Sequence, residues 1–376
     1  MKIKLIAASL AALLSMQANA AEKGITNDTI LLGQSAPTTG PLGPTLLDYV
    51  DGASLYFEHV NKTGGINGRK IKLITLDDGF DPARTAVNTK ELIEKRNVFA
   101  MFAPIGNANI LGVMPLLKAE KIPTFGPVTG AEVLRDNNNR YMFHIRASFN
   151  EEIEKMVQQL VTTGALDIGV AYQDDGYGQA VIKAVKEALA RRNLAPVAYG
   201  AFDMKTLDMS EAVKAINKAN PRAIILGTSG KGAITFIKEL RKSNDRSQIY
   251  ALSLVGSQAL IKVLGPQSHG IVVAQVMPSP WRSTDPIVRE YQLMHAERGT
   301  QEFSYLNLEG FIAAKVFVEG LRKAGKNPTR ESFIAGLESM KNTNMGGFRV
   351  RYGPGKRSGS SFVDLSIISA AGKFIL

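Results

Sequence analysis

Two adjacent carboxylate pairs, Asp77-Asp78 and Asp174-Asp175, are the residues of this 376-residue chain whose type and spacing best suit general acid–base chemistry. Each pair precedes a glycine at the end of an apolar run, where aspartate more commonly builds a turn. The four histidines, His59, His144, His269 and His295, are scattered and lack the paired spacing of metal ligands. Gly227-Thr228-Ser229-Gly230-Lys231-Gly232 and Gly353-Pro354-Gly355-Lys356-Arg357 suggest phosphate loops, but neither has the Walker spacing with Ser or Thr after the lysine. There is no G-x-S-x-G elbow to expose a serine nucleophile, and cysteine is absent, which removes thiolate nucleophiles, thiolate metal sites and disulfides. These residues predict no catalysis, no metal and no cofactor.

A different set repeats with the rhythm of the chain. Small polar or aromatic side chains follow successive apolar runs: Thr38 and Thr39, Asn107 and Asn109, Thr129, Tyr177, Ser229 and Ser253. In open parallel sheets ligands sit at the carboxyl ends of strands, and the exposed N–H groups of a following helix attract an anion or acceptor oxygen.

The stretch from Ile30 to Pro82 predicts the unit that positions the first of these loops. Ile30-Leu31-Leu32-Gly33 reads as a buried strand, and Ala36 to Pro44 is a Pro/Gly-rich loop. Apolar residues at 46, 50, 53, 57 and 60 then make one helical face, stopped by Gly64-Gly65. A second strand follows over 71–76. The alternation runs through strands at 98–102, 122–125, 141–146, 168–172, 223–226, 249–254 and 271–276, with helices between. Beyond Met277-Pro278-Ser279-Pro280, helices near 286–297 and 305–324 precede two closing ribbons, 348–352 and 363–368. The expected class is α/β: two Rossmann-like lobes with parallel sheets, the rhythm running over 24–146 and again over 147–276.

Lys2 and Lys4, the apolar run Ile3 to Leu14, and Ala18-Asn19-Ala20 compose a cleavable secretory signal, 1–20. With no cysteine to acylate, the exported protein is expected free in a periplasm. The formal charge of +11 is scattered, without a basic stripe or interleaved aromatics, so no nucleic-acid partner is expected.

The chain resembles the type I periplasmic solute-binding proteins of the branched-chain amino acid (Leu/Ile/Val) ABC transporter family. Gly40-Pro41-Leu42-Gly43 carries the likeness, as do the helix end Val60 to Ile71 with its Gly64-Gly65-Ile66-Asn67-Gly68-Arg69-Lys70, and Asp77-Asp78 with Asp81-Pro82. Tyr172 to Gly178 and Leu308-Glu309-Gly310-Phe311 extend it along the chain. The resemblance implies three crossovers near 146, 277 and 348, dividing the chain into 21–146 with 277–348 and 147–276 with 349–376. It also implies a non-enzymatic monomer that closes on a small-molecule solute by hinge bending and docks on a membrane permease with cytoplasmic ATPases. The alternative is a sensing module of the same fold that signals to a receptor.

Carried over, the ligand-binding residues are Thr38, Thr39, Leu42, Ile105, Gly106, Asn107, Thr129, Tyr177, Ser229 and Ser253. Two of these positions depart from the family pattern. Gly106 stands where a serine serves the ligand carboxylate, and Ser253 to Gly256 contain no acid to hold an ammonium. An ammonium buried without a carboxylate is costly. The expectation is therefore an amino-acid-like solute or a carboxylate or amide lacking that group.

Overall fold

The computed structural model describes residues 22–40, 42–243 and 245–375, so the signal segment expected at 1–20 lies outside the described residues. Strand β1 (Thr29–Ala36) pairs in parallel with β2 (Lys70–Asp77), Ile30 opposite Ile71. Its other edge takes β3 (Ala100–Phe102), then β4 (Thr124–Phe125) and β5 (Met142–Phe143), giving a five-stranded parallel sheet ordered β2-β1-β3-β4-β5.

Helix α1 (Gly43–Lys62) buries Leu46, Ala53, Phe57 and Val60 as the spacing requires, with Tyr49 more deeply placed than Val50. Helices α2 (Pro82–Glu94) and α3 (Asn107–Ala119) follow β2 and β3. Asp81 caps α2 by accepting the Ala83 and Arg84 N–H groups at 2.7 and 3.0 Å. Asp78 is buried and accepts the hydroxyls of Ser35 and Thr85, so the first carboxylate pair is spent on turn and packing.

After helix α4 (Phe149–Thr162), whose Ser148/Glu151 capping box fixes its start, a second sheet begins. Its strands are β6 (Ile168–Gln173), β7 (Ala198–Phe202), β8 (Ala223–Gly227), β9 (Gln248–Ala251) and β10 (Val272–Gln275), all parallel. Helices α5 (Gly176–Ala190), α6 (Ser210–Ala219), α7 (Gly230–Lys242) and α8 (Ser257–Leu264) connect them.

Helices α9 (Pro286–Arg298), α10 (Tyr305–Lys323) and α11 (Arg330–Glu338) return to the first sheet. There α10 lies directly on α1: a Cβ at Gly52 would sit 1.8 Å from the Asn307 carbonyl oxygen, and one at Gly310 1.9 Å from that of Tyr49. Phe317 of α10 packs its ring edge-on to Phe102 and Phe125 at 5.7 and 5.6 Å, burying the helix against the sheet.

A ribbon of β11 (Thr343–Asn344) and β12 (Arg349–Val350) follows, and the chain ends in β13 (Asp364–Ile368) and β14 (Phe374–Ile375). These last two add antiparallel to β10, so the second sheet reads β14-β13-β10-β9-β8-β6-β7.

The third crossing lies later than the expected 348. Tyr352 packs on Phe143 at 5.5 Å and donates to the His144 carbonyl at 2.7 Å, and the Gly359 N–H bonds that same oxygen at 2.8 Å. Residues 349–359 therefore stay with the first sheet, and the chain passes over after them. Two strand ends also shorten: β9 stops at Ala251 before a 3-10 turn over Ser253–Val255, and β5 at Phe143.

Candidate functional site

A cleft of about 480 Å³ lies between the loops that follow the strands of the two sheets. On the first side, Leu42 stands at the start of α1, while Ile105, Gly106 and Asn107 lead into α3, bridged through Ile105 to Val128. The Thr129 hydroxyl donates to Asn107 Oδ1 at 2.5 Å and accepts the Ala131 N–H at 3.1 Å. Asn107 Nδ2 donates across the cleft to the Gly176 carbonyl at 3.3 Å. No side chain caps α3, so its first N–H groups face the cleft end with the positive pole of the helix dipole.

Gly106 has φ +97°, and a Cβ there would meet the Phe80 ring and Asn109 Oδ1, each at 2.7 Å. The space that a serine would occupy is already filled by Phe80, itself held at φ +66° in the Asp-Asp-Gly-Phe turn. Gly106→Ser is expected to lower stability by about 2 kcal/mol without improving ligand binding, as a urea midpoint and a binding titration on the variant would show.

The second side comes from the loops after β6, β7 and β8. Asp175 caps α5, accepting the Tyr177 and Gly178 N–H groups at 2.8 and 3.2 Å through Oδ1 and Gln173 Nε2 at 2.6 Å through Oδ2. Gln173 in turn accepts the Thr228 hydroxyl at 2.9 Å. This carboxylate is therefore committed to the scaffold. Tyr177 meets Phe149 edge-on at 5.0 Å, and its buried Oη has no partner among the described residues. Burial pushes that hydroxyl's pKa up, so it stays a neutral donor. Ser229 precedes α7 without making a capping bond, and Asp174, Asp203 and Lys205 stand exposed at the rim.

Seven of the ten expected ligand residues thus line one cleft: Leu42, Ile105, Gly106, Asn107, Thr129, Tyr177 and Ser229. Thr38 and Thr39 do not line it. Their N–H groups donate to Asp77 Oδ1 at 2.9 and 3.2 Å, and the Thr39 hydroxyl donates to Oδ2 at 2.9 Å. Ser253 lies outside the lining as well, in a buried polar cluster. Its N–H and hydroxyl donate to Glu152 at 2.8 and 2.9 Å, and its Oγ accepts from Arg146.

Lining residues outside the expected set include Phe80, Phe149, Met204 and Leu254. Met204 and Lys205 follow β7, so the strand-end rule finds them once that strand is recognised. Phe149 sits just past the first crossing and carries no signal of its own in the sequence.

Arg146, fully buried in the first crossing, stands 3.7 Å from Glu152 of α4 and 3.7 Å from Glu309 of α10. Burial pushes the Glu152 carboxyl up to about 6 against the opposing pull of Arg146 and Ser253, and raises Glu309 in the same direction. Between about 4.5 and about 6 the folded chain thus binds more protons at Glu152 than the unfolded chain does. The contribution of this group to stability is full below that window and lost as pH rises through the folded value. Glu152→Gln should flatten that part of the stability–pH curve, measured by urea unfolding at several pH values.

Among the described residues no group of three or more His, Asp or Glu side chains is arranged to hold a metal, and no helix is long and apolar enough to cross a membrane. The periplasmic binding protein family model matches residues 29–361. A substrate-binding periplasmic protein from Ralstonia solanacearum shares 34% sequence identity with a TM-score of 0.87, covering 92% of this chain and 99% of that one. A possible leucine/isoleucine/valine-binding protein from Rhodopirellula baltica shares 28% with a TM-score of 0.88, covering 95% and 98%. Leu/Ile/Val-binding protein homolog 7 of Brucella abortus is 24% identical over 86% of this chain and 83% of its own length. The family model is that of periplasmic binding proteins, and the Ralstonia relative is a substrate-binding one. The chain belongs to the periplasmic binding proteins and has their type I fold.

Proposed function

We propose that this protein is the exported, monomeric substrate-binding component of an ABC importer, and that it captures a small carboxylate or amide with an apolar body. Residues 1–20 serve as its signal peptide. Residues 22–146 with 277–359 form one lobe and 147–276 with 360–375 the other, closing over the solute by hinge bending. The observation that carries the ligand class is the character of the cleft. Asn107, Thr129 and the α3 N-terminus meet a space walled by Leu42, Phe80, Ile105, Val128, Phe149 and Leu254, and the lining carboxylates, Asp174, Asp175 and Asp203, are all exposed.

The carboxylate or amide oxygen takes the α3 end, while Ile105, Val128, Phe149 and Leu254 cover the apolar body. Asp174 and Asp203 are exposed, where an ammonium gains little from a carboxylate screened by water.

The test is thermal unfolding of mature protein, stripped of solute by denaturation and refolding, against amino acids, their deaminated acids, amides and aromatic carboxylates. A ligand confined to the folded state adds about 2.7 kcal/mol at 100 times its Kd. Shifts with acids or amides lacking an ammonium support the reading. A shift with leucine or valine that their deaminated acids do not reproduce overturns the ligand class.

A further inference from the structure

A second concavity, about 620 Å³, shares no lining residue with the cleft. It adjoins all three crossings, through Glu151 after the first, Pro278 in the second and Ser360 in the third. Four cations line it: Arg282, Arg349, Arg351 and Lys356. Its two carboxylates are already engaged. Asp285 pairs with Arg282 at 3.1 Å, and Glu151 accepts the Ser148 N–H at 2.8 Å within the α4 capping box.

The other three cations have no ion pair among the described residues; Arg349 reaches only the neutral Asn342 amide oxygen, at 3.4 Å. They are exposed at their tips but rooted in ordered backbone. Gly353 and Lys356 close a turn through reciprocal N–H···O bonds of 3.3 and 2.9 Å, and the next residue, Arg357, is buried against Glu338. This is the Gly-Pro-Gly-Lys stretch that fails the Walker test in the sequence.

We propose that this pocket binds a small multivalent anion, a solute bearing two or more phosphate or carboxylate groups. Two guanidinium forks and an ammonium around one concavity match that chemistry, since arginine binds carboxylate and phosphate oxygens in pairs and lysine adds a point charge. A recess in which four cations face two carboxylates has a net positive charge and concentrates an anionic solute. A monovalent ion leaves half of that net charge uncompensated, which favours multivalent ligands.

The chain's single tryptophan, Trp281, is 42% exposed, stacks on Phe374 at 5.6 Å and directly precedes the lining residue Arg282, so its emission is a nearby probe of the pocket. The mature protein should be titrated with sodium pyrophosphate, and separately with citrate, against sodium chloride at matched ionic strength, with calorimetry in parallel. The expected result is a saturable change with pyrophosphate, citrate or both, their relative affinity telling phosphate from carboxylate preference, and none with chloride.

The double variant Arg351→Ser/Lys356→Ser should bind at least tenfold more weakly. Lys183→Ser/Lys214→Ser, which removes the same charge from remote exposed positions, should bind as the parent does. The proposal is overturned by the absence of saturation, by equal affinity in parent and double variant, or by equal weakening in the remote variant. Binding of polyglutamate without pyrophosphate or citrate also overturns it, since the surface would then suit an acidic protein segment. None of these readouts depends on the cleft ligand.

Discussion

Asn107→Asp should weaken binding of a carboxylate ligand by a factor of about 100 to 1,000 and leave the fold intact. The substitution is nearly isosteric. The Thr129 hydroxyl still has an acceptor at the same place, and the new charge sits at the α3 N-terminus, where the helix dipole favours a negative group by about 0.3–1 kcal/mol. What changes is the sign of the site. The amide that donates across the cleft to Gly176 is lost, and a carboxylate now confronts the ligand's own. Like charges juxtaposed at an interface cost several kcal/mol, and each 1.4 kcal/mol is a tenfold loss. The measurement is a calorimetric comparison of one carboxylate ligand and its amide on parent and variant. The amide should lose far less than the acid. Equal affinity of the acid for both proteins would mean that the charged end of the ligand points elsewhere.

How far that site was legible in the sequence follows from what each signal encodes. The first strand–helix–strand unit is recoverable because its periodicity, glycine stop and acidic turn agree with one another, and β1, α1 and β2 fall where they point. Asn107, Thr129 and Tyr177 are found by a rule of position, since strand-end loops of a parallel sheet converge. The same rule misplaces Thr38 and Thr39, because it cannot foresee that the neighbouring carboxylate of Asp77 engages both of their N–H groups and the Thr39 hydroxyl. Competition among polar groups is a three-dimensional fact.

Other elements were invisible for simpler reasons. Edge strand β7 reads Ala-Tyr-Gly-Ala-Phe, too small and too interrupted by glycine to stand out, and its loss hid Met204 and Lys205. The nine-residue α11 and eight-residue α8 give too few turns for a clear period. The late third crossing depends on Tyr352 finding a place on Phe143, a long-range contact that no local pattern announces.

The most consequential contact of that kind is the cluster around Arg146. No spacing in the sequence relates Arg146, Glu152, Ser253 and Glu309, yet they meet where the chain first passes from one sheet to the other. Glu309 is on α10, packed on the first sheet, and Ser253 follows β9 of the second, so one guanidinium ties the two halves through buried groups. Arg146→Met should therefore cost about 3–5 kcal/mol, read as a lowered urea midpoint, because two carboxylates are left in the interior without their cation.

The variant Arg146→Met/Glu152→Gln/Glu309→Gln separates the net worth of the cluster from the penalty of breaking it. With the carboxylates made neutral it should recover most of the loss, since replacing a buried charged set as a whole is often close to neutral. A single substitution costing less than about 1 kcal/mol would show that the acids are already protonated in the folded chain, and Arg146 would then be held by Ser253 and by packing alone. A triple variant no more stable than the single one would place the loss in the shape of the guanidinium, and a cavity at the first crossing would be the cause.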